Sequence, residues 1–448
     1  MQNLDGTVVA TALPAMAHAF GSDPLHMNVA LTSYLLSLAV FIPVSGWMAD
    51  RFGARSVFRA AIGVFTVGSV LCGMAESLPF LVVSRIVQGL GGAMMVPVGR
   101  LVLLRSVQKT ELVAAMAWLT TPALIGPVVG PPLGGFLVTY ADWRWIFDIN
   151  VPIGLLGMLL VTLYVPDIRE PTPGRLDGMG LVLSGLALAC LMFGFETAGR
   201  GMLPVTTVTG LIMLGIVSGG LYVWHSRRRQ DPLLDLTLLR IPTFAVSVTA
   251  GTLFRIGVGA IPFLLPLMLQ LGFGMTAVQS GLITFASAIG AAVMKPATQY
   301  TLRTFGFRTT LAWNGSVSAI LLGLMATFRP AWPIVALYAF LIIGGFLRSL
   351  QFTAYNTIAY ADIPRERMSA ATSLYSTIQQ LSQTVGITLG AAMLELATTL
   401  SGREAPALWD FSVAFMVVCV FSLAATPLSL RLSASAGDEM SGHRSVAR

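Results

Sequence analysis

Arg85 and Gln88 stand three residues apart inside RIVQGLGGAMMVPVGR, a run otherwise dominated by glycine and apolar side chains. On a helix that spacing puts both on one face, and Gly89 and Gly92 continue the stripe. A guanidinium deep in an apolar segment is expensive unless it meets a partner or water. One reading is an arginine snorkelling from a helix end, since Arg85 lies six residues after Pro79. The other is that its charge tunes a carboxylate, and Asp5 in LDGTVVATALP is the candidate. Burial disfavours an ionised acid and an adjacent cation favours it, so an acid held between the two influences can load and release a proton.

Other chemistries find little support. A phosphate-binding loop needs Gly-Lys-Ser/Thr, but Lys109 and Lys295 follow Gln108 and Met294, so ATP is not held in that way. The expected driving force is therefore an ion gradient, and the lack of an acidic cluster favours protons over sodium. His18, His26, His225 and His443 form no H-E-x-x-H pair, and no serine sits in G-x-S-G, which argues against an intramembrane hydrolase. Cys72, Cys190 and Cys419 lie far apart in apolar segments and read as packing residues rather than disulfide or zinc partners. No cofactor or metal is expected.

The elements that must position these residues follow from composition. The chain has 448 residues, 55% hydrophobic and only 10% charged, with mean hydropathy +0.79. So few charges cannot cover a soluble surface, and an all-α integral membrane protein is implied. A net charge of +7 could suggest nucleic acid, but the basic residues fall in short gaps between apolar runs, where they set topology instead. Fourteen spans are read near 1–20, 27–49, 57–76, 79–104, 111–140, 143–165, 176–198, 203–225, 242–270, 276–301, 308–328, 331–361, 369–400 and 407–430. Nineteen of the 27 Lys and Arg collect in the loops of one side, four on the other and four within spans (Arg85, Arg255, Lys295, Arg348). The crowded side, with the C-terminus, is expected to be cytoplasmic.

The first span is short for a crossing and opens on Gln2, Asn3 and Asp5. Two readings stay open: a start codon assigned too late, which is favoured, or a truncated first helix. Between the second and third spans, GWMADRFGAR places Asp50, Arg51 and Arg55 in a tight turn, with Gly46 and Gly53 allowing close backbone approach. A charged loop that only sets topology would look similar. RFGARSV at 51–57 is echoed by TFGFRTT at 304–310, and Gly91-Gly92 recurs as Gly344-Gly345 at the same offset of 253. That repetition divides the chain into halves of six spans with two spans inserted between them. In the fifth span, Gly126, Gly130 and Gly134 form a stripe suited to close helix packing, and Pro127, Pro131 and Pro132 should bend the helix.

Together, LDGTVVATALP, GWMADRFGAR, RIVQGLGGAMMVPVGR, IGPVVGPPLGG and WRWIFDINVPIG resemble, in order and spacing, the fourteen-helix drug:proton antiporter branch of the major facilitator superfamily, the EmrB/QacA type. The resemblance implies two six-helix bundles: 1–165, with its first helix incomplete, and 241–430. A linker carrying two extra helices (166–240) joins them, and a cytoplasmic tail (431–448) follows. It implies gating by Gly46, Asp50, Arg51, Gly53 and Arg55, proton coupling by Asp5 and Arg85, and an antiporter bend over Gly126, Gly130, Pro131, Gly134 and Gly135. Arg303 stands where the second half would need the acid of its own gating loop. Gln88 and Arg255 are candidate substrate-cavity residues.

The expected function is export of amphipathic drugs or toxic small molecules, cationic or neutral, in exchange for protons. Partners are then a small-molecule substrate, protons and lipid, and a periplasmic adaptor is neither called for nor excluded. Export of one metabolite, such as an amino acid, sugar or siderophore, is the alternative; a channel accounts for neither the paired halves nor the Gly-Pro segment. Lys295 is expected to snorkel, Arg348 to bind anionic groups or pair with Glu395, and Trp143 and Trp145 to anchor at the interface. Met94, Met95 and Met116 suit a drug-binding wall or simple packing.

Overall fold

The computed structural model describes residues 1–21, 24–167, 169, 174–198, 203–403 and 405–443, and within them the secondary structure is helical throughout. The first group of helices is α1 (Gln2–Phe20), α2 (Pro24–Phe41), α3 (Ser45–Phe52), α4 (Ala54–Gly73), α5 (Leu78–Ser106), α6 (Leu112–Tyr140), α7 (Trp145–Asp148) and α8 (Asn150–Tyr164). Next come α9 (Gly178–Thr197) and α10 (Val205–Ser226), which pack chiefly on each other. The last group is α11 (Pro242–Gly259), α12 (Ile261–Leu267), α13 (Ala277–Leu324), α14 (Ile334–Ile358), α15 (Met368–Leu400), α16 (Leu408–Ser429) and the short α17 (Asp438–Ser441).

Among the described residues, ten helical segments are long and apolar enough to cross a membrane. Two of the fourteen expected spans, 276–301 and 308–328, fall in one of these, residues 278–327. The chain nevertheless reverses inside it, at Gly306, whose φ of 70° is left-handed and suits glycine. Side-chain pairing fixes the reversal. Before Gly306, Arg348 reaches Ser287 and Ser349 bonds the Ala291 carbonyl, so numbers rise together along α13 and α14. After it, Gln351 bonds the Leu311 carbonyl while Asn314 bonds that of Leu347, so they run in opposite senses. The α15 helix falls outside the ten; its first half is rich in hydroxyls and amides, including Ser369, Ser373, Ser376 and Gln379, which face neighbouring helices rather than lipid.

The repeat seen in sequence is also a repeat of contacts. A Cβ on Gly89 would meet Ser37 and one on Gly92 would meet Leu38 and Tyr34; 253 residues later, Gly290 abuts Ile342 and Gly345 abuts Ser287. Gly53, with φ of 88°, turns the chain in the first group as Gly306 does in the last. Close approach of this kind needs small residues because apolar helices in lipid associate through packing, with little hydrophobic drive. The tail returns to the same side: His443 Nδ1 lies 2.8 Å from the Arg303 carbonyl, and Lys109 pairs with Glu439 at 3.1 Å.

Candidate functional site

Asp5 lies on α1 and is 2% exposed. Arg85, on α5, is 0% exposed and donates from Nη1 to Asp5 Oδ2 at 2.5 Å. The other carboxylate oxygen accepts from Gln88 Nε2 at 2.9 Å and from Asn150 Nδ2 at 3.3 Å. Four helices therefore contribute: α1 the acid, α5 the cation and one amide, α8 the second amide, and α4 Ser69, whose hydroxyl accepts from Gln88 at 2.6 Å. Gly68 makes room, since a Cβ there would overlap the Gln88 backbone.

The guanidinium has further contacts, although its Nη2 has no hydrogen-bond acceptor. Its Nε bonds the Ala30 carbonyl at 3.1 Å, its Nη1 also meets Gln88 Oε1 at 2.5 Å, and the Tyr34 ring centroid is 4.2 Å from Cζ. Snorkelling is thus excluded for Arg85. A dry ion pair is maintained only when both charges keep their hydrogen bonds, so protonating Asp5 would cancel the charge that holds Arg85 and loosen contacts among all four helices. Gln88, the candidate substrate-cavity residue, hydrogen-bonds this acid. Asn150, Ser69 and Tyr34 were missed from sequence; an amide within the apolar run of WRWIFDINVPIG was the available signal for the first.

A second assembly joins the two helix groups on the side where Gly53 and Gly306 turn the chain. The Gly46 amide donates to Ser373 Oγ at 2.8 Å, Ser45 Oγ lies 3.1 Å from the same hydroxyl, and Ser369 Oγ donates to Asp50. Asp50 also accepts from Arg105 at 3.1 Å. Arg55 donates to the Thr162 carbonyl on α8, whereas Arg51 is exposed and outside this contact. Gly53 packs against the side chains of Asp167 and Arg169. Arg100, counted from sequence among the loop cations, is 3% exposed within α5 and reaches across to Tyr360, Ser376 and Gln379 at 3.2–3.4 Å.

The helix with the glycine stripe, α6, runs unbroken from Leu112 to Tyr140. Gly126 accepts from Thr7 Oγ1 at 3.3 Å, Gly130 abuts Thr7 and Val8, and Gly134 is buried, whereas Gly135 faces open space. The side chains of Pro127, Pro131 and Pro132 lie outside the described residues.

The structure corrects the expectations for Lys295 and Trp143 and places the remaining single residues. Lys295 does not snorkel; it is 5% exposed and donates to Thr120 Oγ1 at 2.7 Å and Thr353 Oγ1 at 3.1 Å, joining α13 to α6 and α14. Arg348 donates to Ser287, and Glu395 is exposed away from it. Trp143 is buried against Phe20, so only Trp145 stays exposed as an anchor would. Met94 and Met116 are buried in the core, as packing residues. Arg255 is buried, donating to the Tyr375 hydroxyl.

This all-helical fold, with its paired groups of helices and intramembrane ion pair, is that of a transporter, and the chain belongs to the Major Facilitator Superfamily, whose family model matches residues 1–387 and again 248–442. It is similar to the "Putative multidrug resistance protein MdtD" of Serratia proteamaculans (strain 568), 40% identical over 402 residues, covering 88% of this chain and 82% of the relative. The protein of that name from Escherichia coli (strain K12) is 39% identical over 398 residues, covering 88% and 84%. Two solved structures share the fold: the human organic anion transporter MFSD10 (TM-score 0.65, 15% identity, 96% of this chain and 94% of that one) and the proton:xylose symporter XylE (TM-score 0.65, 13% identity, 95% and 91%). As a member of that family the chain is a multi-pass membrane transporter.

Proposed function

We propose that the chain is a proton-coupled exporter of amphipathic drugs or toxic small molecules, working by alternating access in a bacterial inner membrane. In this reading fourteen spans form two six-helix bundles, residues 1–165 and 241–430, joined through 166–240, with the tail 431–448 and the Gly53 turn in the cytoplasm. The observation that carries it is the dry Asp5–Arg85 pair, a carboxylate and a guanidinium from different helices with neither side chain exposed. In this reading the contacts of Gly46, Asp50 and Arg100 with α15 close the cytoplasmic side while Asp5 holds Arg85. A proton entering from outside neutralises Asp5, releases Arg85 and permits the rearrangement that opens the other side. Similarity to the MdtD proteins supports drugs as cargo. One charge crossing 100 mV is worth about 2.3 kcal/mol, enough for a gradient of several tens-fold in a neutral solute.

The test uses purified protein in proteoliposomes under an imposed pH difference. Asp5→Asn is expected to abolish pH-driven movement of a fluorescent substrate while leaving its binding measurable. Undiminished pumping by that variant would remove Asp5 from the coupling.

A further inference from the structure

Three cations from three helices belong to or contact one short stretch of α14, residues 348–353. Arg348 belongs to it, Lys295 donates to Thr353, and Arg255 Cζ lies 5.8 Å from the Phe352 ring centroid. All three are at least nine-tenths buried, with Arg348 the most accessible at 9%. From the first helix group Arg100 closes the assembly: its guanidinium and that of Arg255 stand 5.4 and 4.8 Å from one ring, that of Tyr375. Among the described residues none of the four has a carboxylate within ion-pair distance; their partners are hydroxyls, an amide and ring faces, all neutral. Several of their N–H groups have no acceptor at all: Arg255 Nε and Nη1, Arg348 Nη1 and Arg100 Nε.

Packing alone does not account for this. Buried charges are ordinarily paired, and one uncompensated guanidinium in a membrane protein already marks a functional site. The Asp5–Arg85 pair in the same chain shows the ordinary solution for charge, although Arg85 Nη2 likewise lacks an acceptor. Here Arg100 and Arg255 share the Tyr375 ring, Arg255 also stands beside Phe352, and both of them and Arg348 have donors left over. An anion supplies what is missing: negative charge and lone pairs in a planar arrangement that guanidinium groups grip in pairs.

We infer that this cluster is the substrate site for organic anions: molecules with a carboxylate or sulfonate attached to an aromatic or apolar body. This rests on the exporter reading and replaces the cationic or neutral cargo expected from sequence, because a cation would meet unshielded like charge. The site is covered while the Gly53 side is closed, and the opening that alternating access entails would admit the ligand.

Binding and transport are measured separately, with carboxyfluorescein as the anionic probe and ethidium as the cationic one. Purified protein in detergent should raise the anisotropy of carboxyfluorescein, and Arg255→Gln or Arg348→Gln should each weaken that binding about tenfold or more, as loss of a charge-assisted contact does. Arg348→Lys should recover part of the affinity, which a folding defect would not permit. The preference for the anion over ethidium should fall in parallel. Ethidium bound where carboxyfluorescein is not, or anion binding indifferent to Arg255→Gln and Arg348→Gln in monodisperse protein, would overturn the assignment. If the anion binds through these residues but no imposed pH difference moves it, the site stands and the exporter reading falls. Should ethidium be pumped while carboxyfluorescein fails to bind, the reverse holds.

Discussion

A single acid decides how much of this chain's chemistry is available. Asp5 receives hydrogen bonds from Arg85, Gln88 and Asn150, and the same arginine also holds the Ala30 carbonyl and Tyr34 ring. Removing one member of such a pair strands the other charge in a dry site, whereas removing both does not. Arg85→Met is therefore expected to destabilise the protein by about 3–5 kcal/mol, and adding Asp5→Asn to it should recover part of that loss. Thermal unfolding in detergent checks both. Arg85, Gln88 and Asp5 could be picked from sequence because polar groups in apolar runs stand out. Asn150 and Ser69 escaped notice because nothing linear says which polar residue of another helix turns toward them.

Elements respond to the space around them. Gly46 sits where a Cβ would meet the Ser369 carbonyl and the Ser373 hydroxyl, while Gly135 faces open space on α6. Gly46→Val should therefore weaken closure of the Gly53 side, read as faster labelling of a cysteine placed at Ser376, whereas Gly135→Ala should leave labelling and stability unchanged. A second element-scale device lies at the start of α9. Asp177 accepts from the Gly180 and Leu233 amides and meets His225 Nε2 at 2.9 Å, tying α9 to the end of α10 and the segment after it. Burial by itself would raise its pKa, but the His225 contact and the two amides more than offset this, and the carboxyl lies below its ordinary value. Its stabilising contribution is thus fully present above the unfolded pKa of about 3.9 and disappears as pH falls through the lower folded value. Proteolysis within residues 227–235 should accelerate on that acid limb, and Asp177→Asn should make it fast at every pH.

At the scale of the molecule, one apolar cluster takes in residues of both helix groups, such as Leu101 and Leu374, and the groups also touch through Gly46, Asp50, Arg100 and Lys295 with hydroxyl and amide partners. Such contacts exchange with water at modest cost, which suits a joint that opens and closes. Ser45 Oγ and Ser373 Oγ are 3.1 Å apart across it. Cysteines at both positions should cross-link on oxidation, stop transport and release it again on reduction; transport that continued through the cross-link would mean the joint stays shut during turnover. The tail adds little to this joint, since the Lys109 and Glu439 side chains are 60% and 78% exposed.

Read alone, the order of residues determined the helical class, the positions where glycine must turn or admit a neighbour, the internal repeat and the acid worth suspecting. These are local or periodic properties: hydropathy over a span, a spacing on one face, a φ that only glycine adopts easily. The tertiary structure decided which charges were partnered. Arg100, read as a loop cation, and Lys295, read as snorkelling, both proved buried between helix groups, and Arg255 and Arg348 proved to share one stretch of α14 without an acid. Whether a buried charge is balanced depends on residues distant in the chain and adjacent in space, and no spacing rule encodes that.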